Sequence, residues 1–308
     1  MGEPPKFPPL DQFLTHRPDG LSFKDALSLA AKKTESVFRH RLHSEGDPIK
    51  DAMLYATVGG KALRGFLVWE TGRLHRVPAE ECRNVSAAIE AVHAYSLVHD
   101  DLPCMDDDAM RRGQPTVHRA WDEATAVLAG DALQALAFDL IAGSAGLDDS
   151  ARVSLVRSLA IASGMDGMVG GQALDIAAET SDRSLTIEEI TKLQNGKTGA
   201  LLTWSCLAGP RMVGADETAL KIYGDALGLA FQIADDILDV EGDAATVGKA
   251  VGKDAGAGKA TFVSLLGLDE AKRRARQLVE AACDALSCYG DDAETLKEAA
   301  RFVITRSH

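Results

Sequence analysis

The sequence is short of helix breakers. Of its ten prolines, four fall within the first nine residues, and after Pro115 only Pro210 remains. Nearly two hundred residues therefore carry one proline, so little interrupts a succession of helices. Strand signals are also missing: no β-branched alternation with hairpin turns appears, so no substantial sheet is expected. No internal repeat of about 20–50 residues is present, which excludes a solenoid. Cysteine is scarce. The five (82, 104, 206, 283 and 288) form no CxxC pair and no metal-ligand spacing. Basic charge is in deficit, with a formal net charge of -13; no basic run or RNA-type aromatic motif appears, which argues against a general nucleic-acid binder. No continuous apolar run reaches the roughly 18–20 residues that span a bilayer.

What is present is a globular composition, 46% hydrophobic and 26% charged, able to bury a sizeable core. The start, "MGEPPKFPPL", predicts an extended, poorly ordered lead-in over 1–19 rather than a targeting signal. With the odd cysteine count, it points to reduced thiols in a cytoplasm. Residues 21–42 place Phe23, Ala26, Leu27, Ala30, Ala31, Val37 and Phe38 near helical spacing. Residues 84–101 are almost uncharged apart from Glu90 until their end, as in a central helix buried all round. Residues 219–240 read similarly, and 269–290 read as an amphipathic outer helix ending at Gly290. The length allows two domains, and one large helical domain fits equally well. The expectation adopted is an all-α, single-domain bundle of about ten or more helices over 20–308.

Two acidic stretches stand out. "HDDLPCMDDDAMRRG" (99–113) holds five aspartates within nine positions, followed by two arginines. "FQIADDILDVEGD" (231–243) places Asp235 and Asp239 four apart, roughly 40° around a helix and so on one face. Asp100 and Asp106 are six apart, on different faces of a regular helix, but Pro103 lies between them and should break it. That break could bring Asp106 back toward Asp100. Neither stretch has the calcium-loop pattern. Mg²⁺ fits better, because it takes one or two carboxylates per ion and fills its other positions with water and phosphate oxygens. The pattern points to a diphosphate held through metal ions between two helices.

Basic residues supply the complement. Arg111 and Arg112 follow the first cluster, and guanidinium forks suit phosphate oxygens. "GGKALRG" (59–65) places Lys61 and Arg64 on one helix face. His93 lies two turns before Asp100 in the apolar helix; taken alone, it reads as a core histidine. Lys197, Lys249 and Lys259 each neighbour glycines, which permits close phosphate approach without requiring it.

Together, "GGKALRG", "HDDLPCMDDDAMRRG", "GMVGGQALD" (167–175), "KTGAL" and "FQIADDILD" resemble the trans-isoprenyl diphosphate synthases, and most closely their bacterial short-chain farnesyl diphosphate synthase (geranyltranstransferase) group. The likeness runs from about residue 20 to the C-terminus in the family's order. It implies the isoprenoid synthase fold, helices around a central cavity, a homodimer, and Mg²⁺ as cofactor (three ions with the diphosphate bound, Mn²⁺ as a substitute). It implies head-to-tail addition of isopentenyl diphosphate to an allylic diphosphate. By resemblance Asp100, Asp106 and Asp235 bind metal, with Asp101, Asp236 and Asp239 in support. Arg111, Lys197, Lys249 and Lys259 match residues that grip the allylic diphosphate. Lys61, Arg64, His93 and Arg112 match the isopentenyl diphosphate pocket. Thr198, Phe231 and Gln232 match residues lining the reacting carbons, and the 167–175 segment brings in Gln172 and Asp175. One departure is that the family's "GGKRLRP" is here "GGKALRG", with Ala62 and Gly65 in place of an arginine and a proline.

Tyr95 stands five residues before Asp100, about 7.5 Å deeper along a helix, with Ser96 next to it. A ring there would form a floor for the growing chain, as in family members with short products. The two extra residues in the first motif also resemble the short-chain bacterial type. The expected product is farnesyl diphosphate (C15), with geranylgeranyl (C20) or geranyl (C10) diphosphate as alternatives. A class I terpene cyclase has no need for Lys61, Arg64, Arg112 and His93. A non-catalytic prenyl synthase subunit tends to lose an aspartate motif, and both are present here.

Overall fold

Proline placement and apolar spacing translate into helices in the computed structural model, which describes residues 20–44, 46–180, 183–245 and 261–305. The expected lead-in over 1–19 and the two lysines Lys249 and Lys259 lie outside the described residues. In order come α1 (Phe23–Arg41), α2 (Pro48–Thr57), α3 (Leu63–Leu74), α4 (Ala79–Asp100), a single turn α5 (Val117–Ala120), α6 (Glu123–Ala142), α7 (Asp149–Ser163), α8 (Met168–Glu179) and α9 (Ile187–Gln194). A π-helical segment, Asn195–Gly199, leads into α10 (Ala200–Val213), followed by α11 (Thr218–Ala245). The chain ends with α12 (Phe262–Leu266), α13 (Leu268–Ala285), a 3₁₀ stretch (Leu286–Ala293) and α14 (Glu294–Thr305). Among the described residues the strands are two of two residues each, β1 (Met110–Arg111) and β2 (Gln114–Pro115), paired antiparallel.

Local chemistry sets the ends. Ser22 caps α1 by accepting the Asp25 N–H, and Asp47 caps α2 with Pro48 in its first turn, where the missing N–H costs nothing. Thr186 and Glu189 close a reciprocal capping box on α9. The outer helix expected over 269–290 stops earlier, at Ala285; Gly290, at φ 58°, interrupts the 3₁₀ stretch that follows.

The chain forms two compact units where one domain was expected, Met1–Val156 with Ala208–Ala215, and Arg157–Leu207 with Asp216–His308. In the first unit α4 is the central element, packed along α6, α3 and α1. Val85, Ala87, Ala88, Ile89, Ala91 and Val92 are fully buried, which explains why the sequence of α4 has no polar stripe. In the second unit α11 packs along α13, and Ile190, Leu229, Ile233, Ile237 and Phe262 form a shared core. Each large aliphatic side chain buried there contributes about 1.5–3 kcal/mol. The Tyr223 hydroxyl spends its polarity on the Leu296 carbonyl at 2.8 Å, so a fully buried ring leaves no unpaired donor.

Candidate active site

The first acidic cluster is built on a broken helix. α4 ends at Asp100, and Pro103 turns the chain so that the Asp106 N–H donates to the Asp100 carbonyl at 2.8 Å, while the Asp107 N–H donates to the Leu102 carbonyl at 3.1 Å. The expected return of Asp106 to Asp100 is thus present in the backbone. Asp100 is half-buried and Asp106 is exposed.

The cluster's counter-charges come from just downstream. Arg111 on β1 donates from Nε to both oxygens of Asp101, at 2.7 and 2.9 Å, and its Nη2 lies 2.6 Å from Asp101 and 3.7 Å from Asp108. Arg119 pairs with Asp107 at 3.2 Å. Burial pulls the Arg111 pKa down, but the hydrogen bonds and charge of Asp101 outweigh it and leave it raised. Asp101, expected to support metal, is buried at 3% exposure with its carboxylate spent on Arg111. Here it fixes the hairpin to the end of α4.

The hairpin aims Arg112. Arg111 faces Gln114 across a two-residue loop in which Arg112 (φ 52°) and Gly113 (φ 75°) are both left-handed, the signature of a type I′ turn. The turn brings the Arg112 guanidinium onto Gly60: a Cβ at that position would lie 2.7 Å from Nη1. A small recess opens here, lined by Thr34, Thr57, Gly60, Glu90, His93 and Arg112. Lys61 is exposed beside it. Arg64 follows on α3 with its Nε buried and unpaired. Burial, with the Arg64, Arg112 and Arg111 charges adding, pushes His93 well below its ordinary pKa of 6.5. The imidazole is therefore neutral at working pH, and His93 belongs to the basic group's recess as well as to the core.

Tyr95 is buried at 5% exposure. Its ring packs edge-on to His99 at 5.9 Å, and burial raises its pKa, with Gln134 of α6 opposing. The Ser96 hydroxyl turns back on its own helix, donating to the His93 carbonyl at 2.9 Å.

The second cluster sits on the continuous helix α11. Asp235 is half-buried and Asp239 exposed, one turn apart. Asp236 points elsewhere: its carboxylate accepts the Phe262 N–H at 2.6 Å and is buried. It anchors the start of α12 through one of its two oxygens. Phe231 and Gln232 lie one turn earlier and are half-buried.

Lys197 and Thr198 lie in the π-helical segment, a widened turn that recurs at functional sites. Lys197 Nζ donates to Asp175 of α8 at 2.6 Å, so its charge is held by an internal carboxylate. Gly171 makes that approach feasible, because a Cβ there would fall 2.0 Å from the Lys197 backbone nitrogen. Gln172 follows on α8, half-buried.

The donors suit a hard cation. Each cluster offers carboxylate oxygens and no thiolate or imidazole set, and among the described residues no three acidic, histidine or cysteine side chains form a closed cage. Mg²⁺ needs only one or two carboxylates when substrate phosphate completes its shell, so Asp100, Asp106, Asp235 and Asp239 fit it. Sequence reasoning missed the I′ hairpin, the Asp236 anchor and the part played by Glu90. Only the last left a signal, as the lone charge within an apolar helix.

An all-helical chain with aspartate clusters on two separate helices falls in the isoprenoid synthase class. Structurally it is similar to an FPP/GFPP synthase from Zymomonas mobilis, with TM-score 0.83 and 44% identity over 92% of this chain and 98% of that one. Among curated proteins it is 43% identical over 271 residues to the farnesyl diphosphate synthase of Haemophilus influenzae, covering 86% of this chain and 91% of the relative. The farnesyl diphosphate synthase of Escherichia coli is 42% identical over 287 residues, 90% and 95% of the two chains. Residues 47–300 match the polyprenyl synthetase family, and the chain belongs to that family.

Proposed function

We propose that this chain is a trans-prenyltransferase that adds isopentenyl diphosphate head-to-tail to dimethylallyl and then geranyl diphosphate, releasing farnesyl diphosphate. The observation that carries this reading is the coexistence of two carboxylate clusters with the separate recess at His93 and Arg112, which provides for a second diphosphate. A cyclase with one substrate needs only the carboxylates.

Diphosphate leaves an allylic carbon only when its growing charge is neutralised. Mg²⁺ held by Asp100, Asp106, Asp235 and Asp239 would supply Lewis-acid stabilisation of that charge. Arg111 and Lys197 add fixed donors, with Lys249 and Lys259 in the same role. Lys61, Arg64 and Arg112 hold the isopentenyl diphosphate, and neutral His93 donates or accepts without adding charge. Thr198, Gln232 and the Phe231 ring face the developing allylic cation, whose lifetime depends on excluding water. The apolar lengths of α4 and α11 suit a dry site. Gln172 adds an amide donor to the substrate-binding group. The proton lost at the end goes to the departed diphosphate, and alignment of the two substrates supplies much of the acceleration. Tyr95 forms the floor that stops growth at C15, with Ser96 beside it.

The chain acts as a homodimer. α6 is long and apolar enough to cross a membrane by length and composition, yet it carries Asp131 and packs on α4. Its outer face exposes Val127 (41%) and Leu128 (53%), which a second copy would cover. We place the enzyme in the cytoplasm, where its five free thiols stay reduced.

The test is to incubate purified protein with Mg²⁺, labelled isopentenyl diphosphate and dimethylallyl diphosphate, and to chromatograph the dephosphorylated products. A C15 alcohol is expected. A C20 or longer product would keep the enzyme and remove the Tyr95 floor, and no incorporation from folded protein with either primer would sink the reading.

A further inference from the structure

Helix α3, which carries Arg64, starts badly. Its N-cap residue is Ala62, left-handed at φ 49° and without a side-chain oxygen to offer, so its first N–H groups have no acceptor of their own. The acceptor comes from another helix. Glu90 of α4 takes the Gly65 N–H at 2.8 Å, and the Arg64 backbone N–H is directed at the same carboxylate. A negative charge at a helix N-terminus is favourable, and this one stands where a helix of the basic recess begins.

The same carboxylate lies in the field of two guanidiniums that repel each other, Arg64 and Arg112. Burial pushes its pKa up, and the Gly65 N–H and both arginines oppose that shift. The end of Arg112 lies against Gly60, 2.7 Å from where a Cβ would stand, while Arg64 Nε is buried without an acceptor. A buried guanidinium nitrogen left unpaired is costly, and the Glu90 charge is what the protein sets against it. Glu90 is thus the anion set among the cations of this recess.

We propose that Glu90 is a positioning residue for the isopentenyl diphosphate subsite, capping α3 and balancing Arg64 against Arg112 so that both are set before the diphosphate arrives. This rests on the function proposed above. Glu90 touches no substrate in this account and acts through the two arginines and the backbone of Gly65.

The experiment is steady-state kinetics on full-length wild type, Glu90→Gln and Glu90→Ala, varying isopentenyl and geranyl diphosphate separately. Glu90→Ala should raise KM for isopentenyl diphosphate by about tenfold or more, the usual effect of losing a charge-assisted hydrogen bond. KM for geranyl diphosphate should stay within about twofold on the same scale. Glu90→Gln keeps an acceptor for the Gly65 N–H and loses only the charge, so its effect should be intermediate; it carries the test if Glu90→Ala does not fold. An unchanged ratio of the two KM values in Glu90→Gln, or a parallel rise of both, would overturn the proposal. If wild type condenses nothing, the functional reading falls separately, and calorimetry with isopentenyl diphosphate alone then decides. Tighter binding to wild type than to Glu90→Gln keeps the proposal, and equal or absent binding ends it.

Discussion

The two aspartate clusters carry similar sequences and are built in opposite ways. The first gathers Asp100 and Asp106 by breaking α4 at Pro103 and folding the chain back, then steadies the fold with Arg111 on Asp101 and Arg119 on Asp107. The second leaves α11 unbroken and relies on helical periodicity to put Asp235 and Asp239 on one face. In both, one aspartate of the adjacent pair turns away from that face. Asp101 holds a hairpin and Asp236 holds the start of the next helix. The proposed function makes each Asp-Asp pair a division of labour: Asp100 and Asp235 would hold the metal, while Asp101 and Asp236 tie the clusters to the scaffold.

This comparison can be broken most forcefully at Asp100 and Asp235. Asp100→Ala or Asp235→Ala should lower turnover by about a thousandfold or more, with the helical circular dichroism signal intact. Full activity in either would remove that residue from the metal set. The next effect belongs to the first cluster's scaffold. Asp101→Asn removes the charge opposite Arg111 but keeps one amide oxygen to accept from it, with Asp108 still 3.7 Å away; since that arginine is about one-third exposed the loss is about 1 kcal/mol, read as a fall in denaturation midpoint with a smaller fall in kcat than Asp100→Ala gives. Loss of all activity at unchanged stability would instead make Asp101 a ligand.

A smaller effect sharpens the contrast between acidic and basic regions. In Gly60→Ala the new Cβ sits 2.7 Å from Arg112 Nη1, and the flexible arginine gives way more readily than backbone would. KM for isopentenyl diphosphate should rise about fivefold with little change in stability; a stability loss with unchanged KM would contradict the placement of Arg112.

The smallest is a pH effect. His93 has its folded pKa lowered by burial and then by the Arg64, Arg112 and Arg111 charges, so between that value and 6.5 the unfolded chain takes up a proton that the fold refuses. Stability attributable to His93 is present above 6.5 and declines as pH falls from there toward the lowered folded value. His93→Gln should flatten the fall in melting temperature between pH 7 and 5.5, and identical slopes would mean that His93 is protonated in the fold.

Much of this was legible in the sequence because it depends on one chain segment at a time. The scarcity of proline after Pro115 announced the helices, the apolar run before Asp100 announced a buried one, and Pro103 announced the break that returns Asp106. What stayed hidden depends on a partner distant in sequence. Nothing near Asp236 signals that the Phe262 N–H needs an acceptor, and nothing in "RRG" marks a type I′ turn until Arg112 is seen with positive φ. Glu90 showed as an isolated charge in an apolar helix, but its purpose required the uncapped start of α3, 25 residues earlier. The family resemblance puts Asp101 and Asp236 in support of metal, and a motif alone does not show that their carboxylates also bond to Arg111 and to the Phe262 N–H.

The division of labour within one aspartate pair is tested most directly by measuring Mg²⁺-dependent turnover of Asp235→Asn beside Asp236→Asn, across a Mg²⁺ titration and with melting curves for both. The account predicts that Asp235→Asn loses turnover by about a thousandfold and keeps its melting temperature. It predicts that Asp236→Asn keeps its Mg²⁺ dependence and most of its turnover but melts earlier, by the equivalent of about 1–2 kcal/mol for the weakened bond to Phe262. Equal loss of turnover in the two variants, with both melting like wild type, would contradict it.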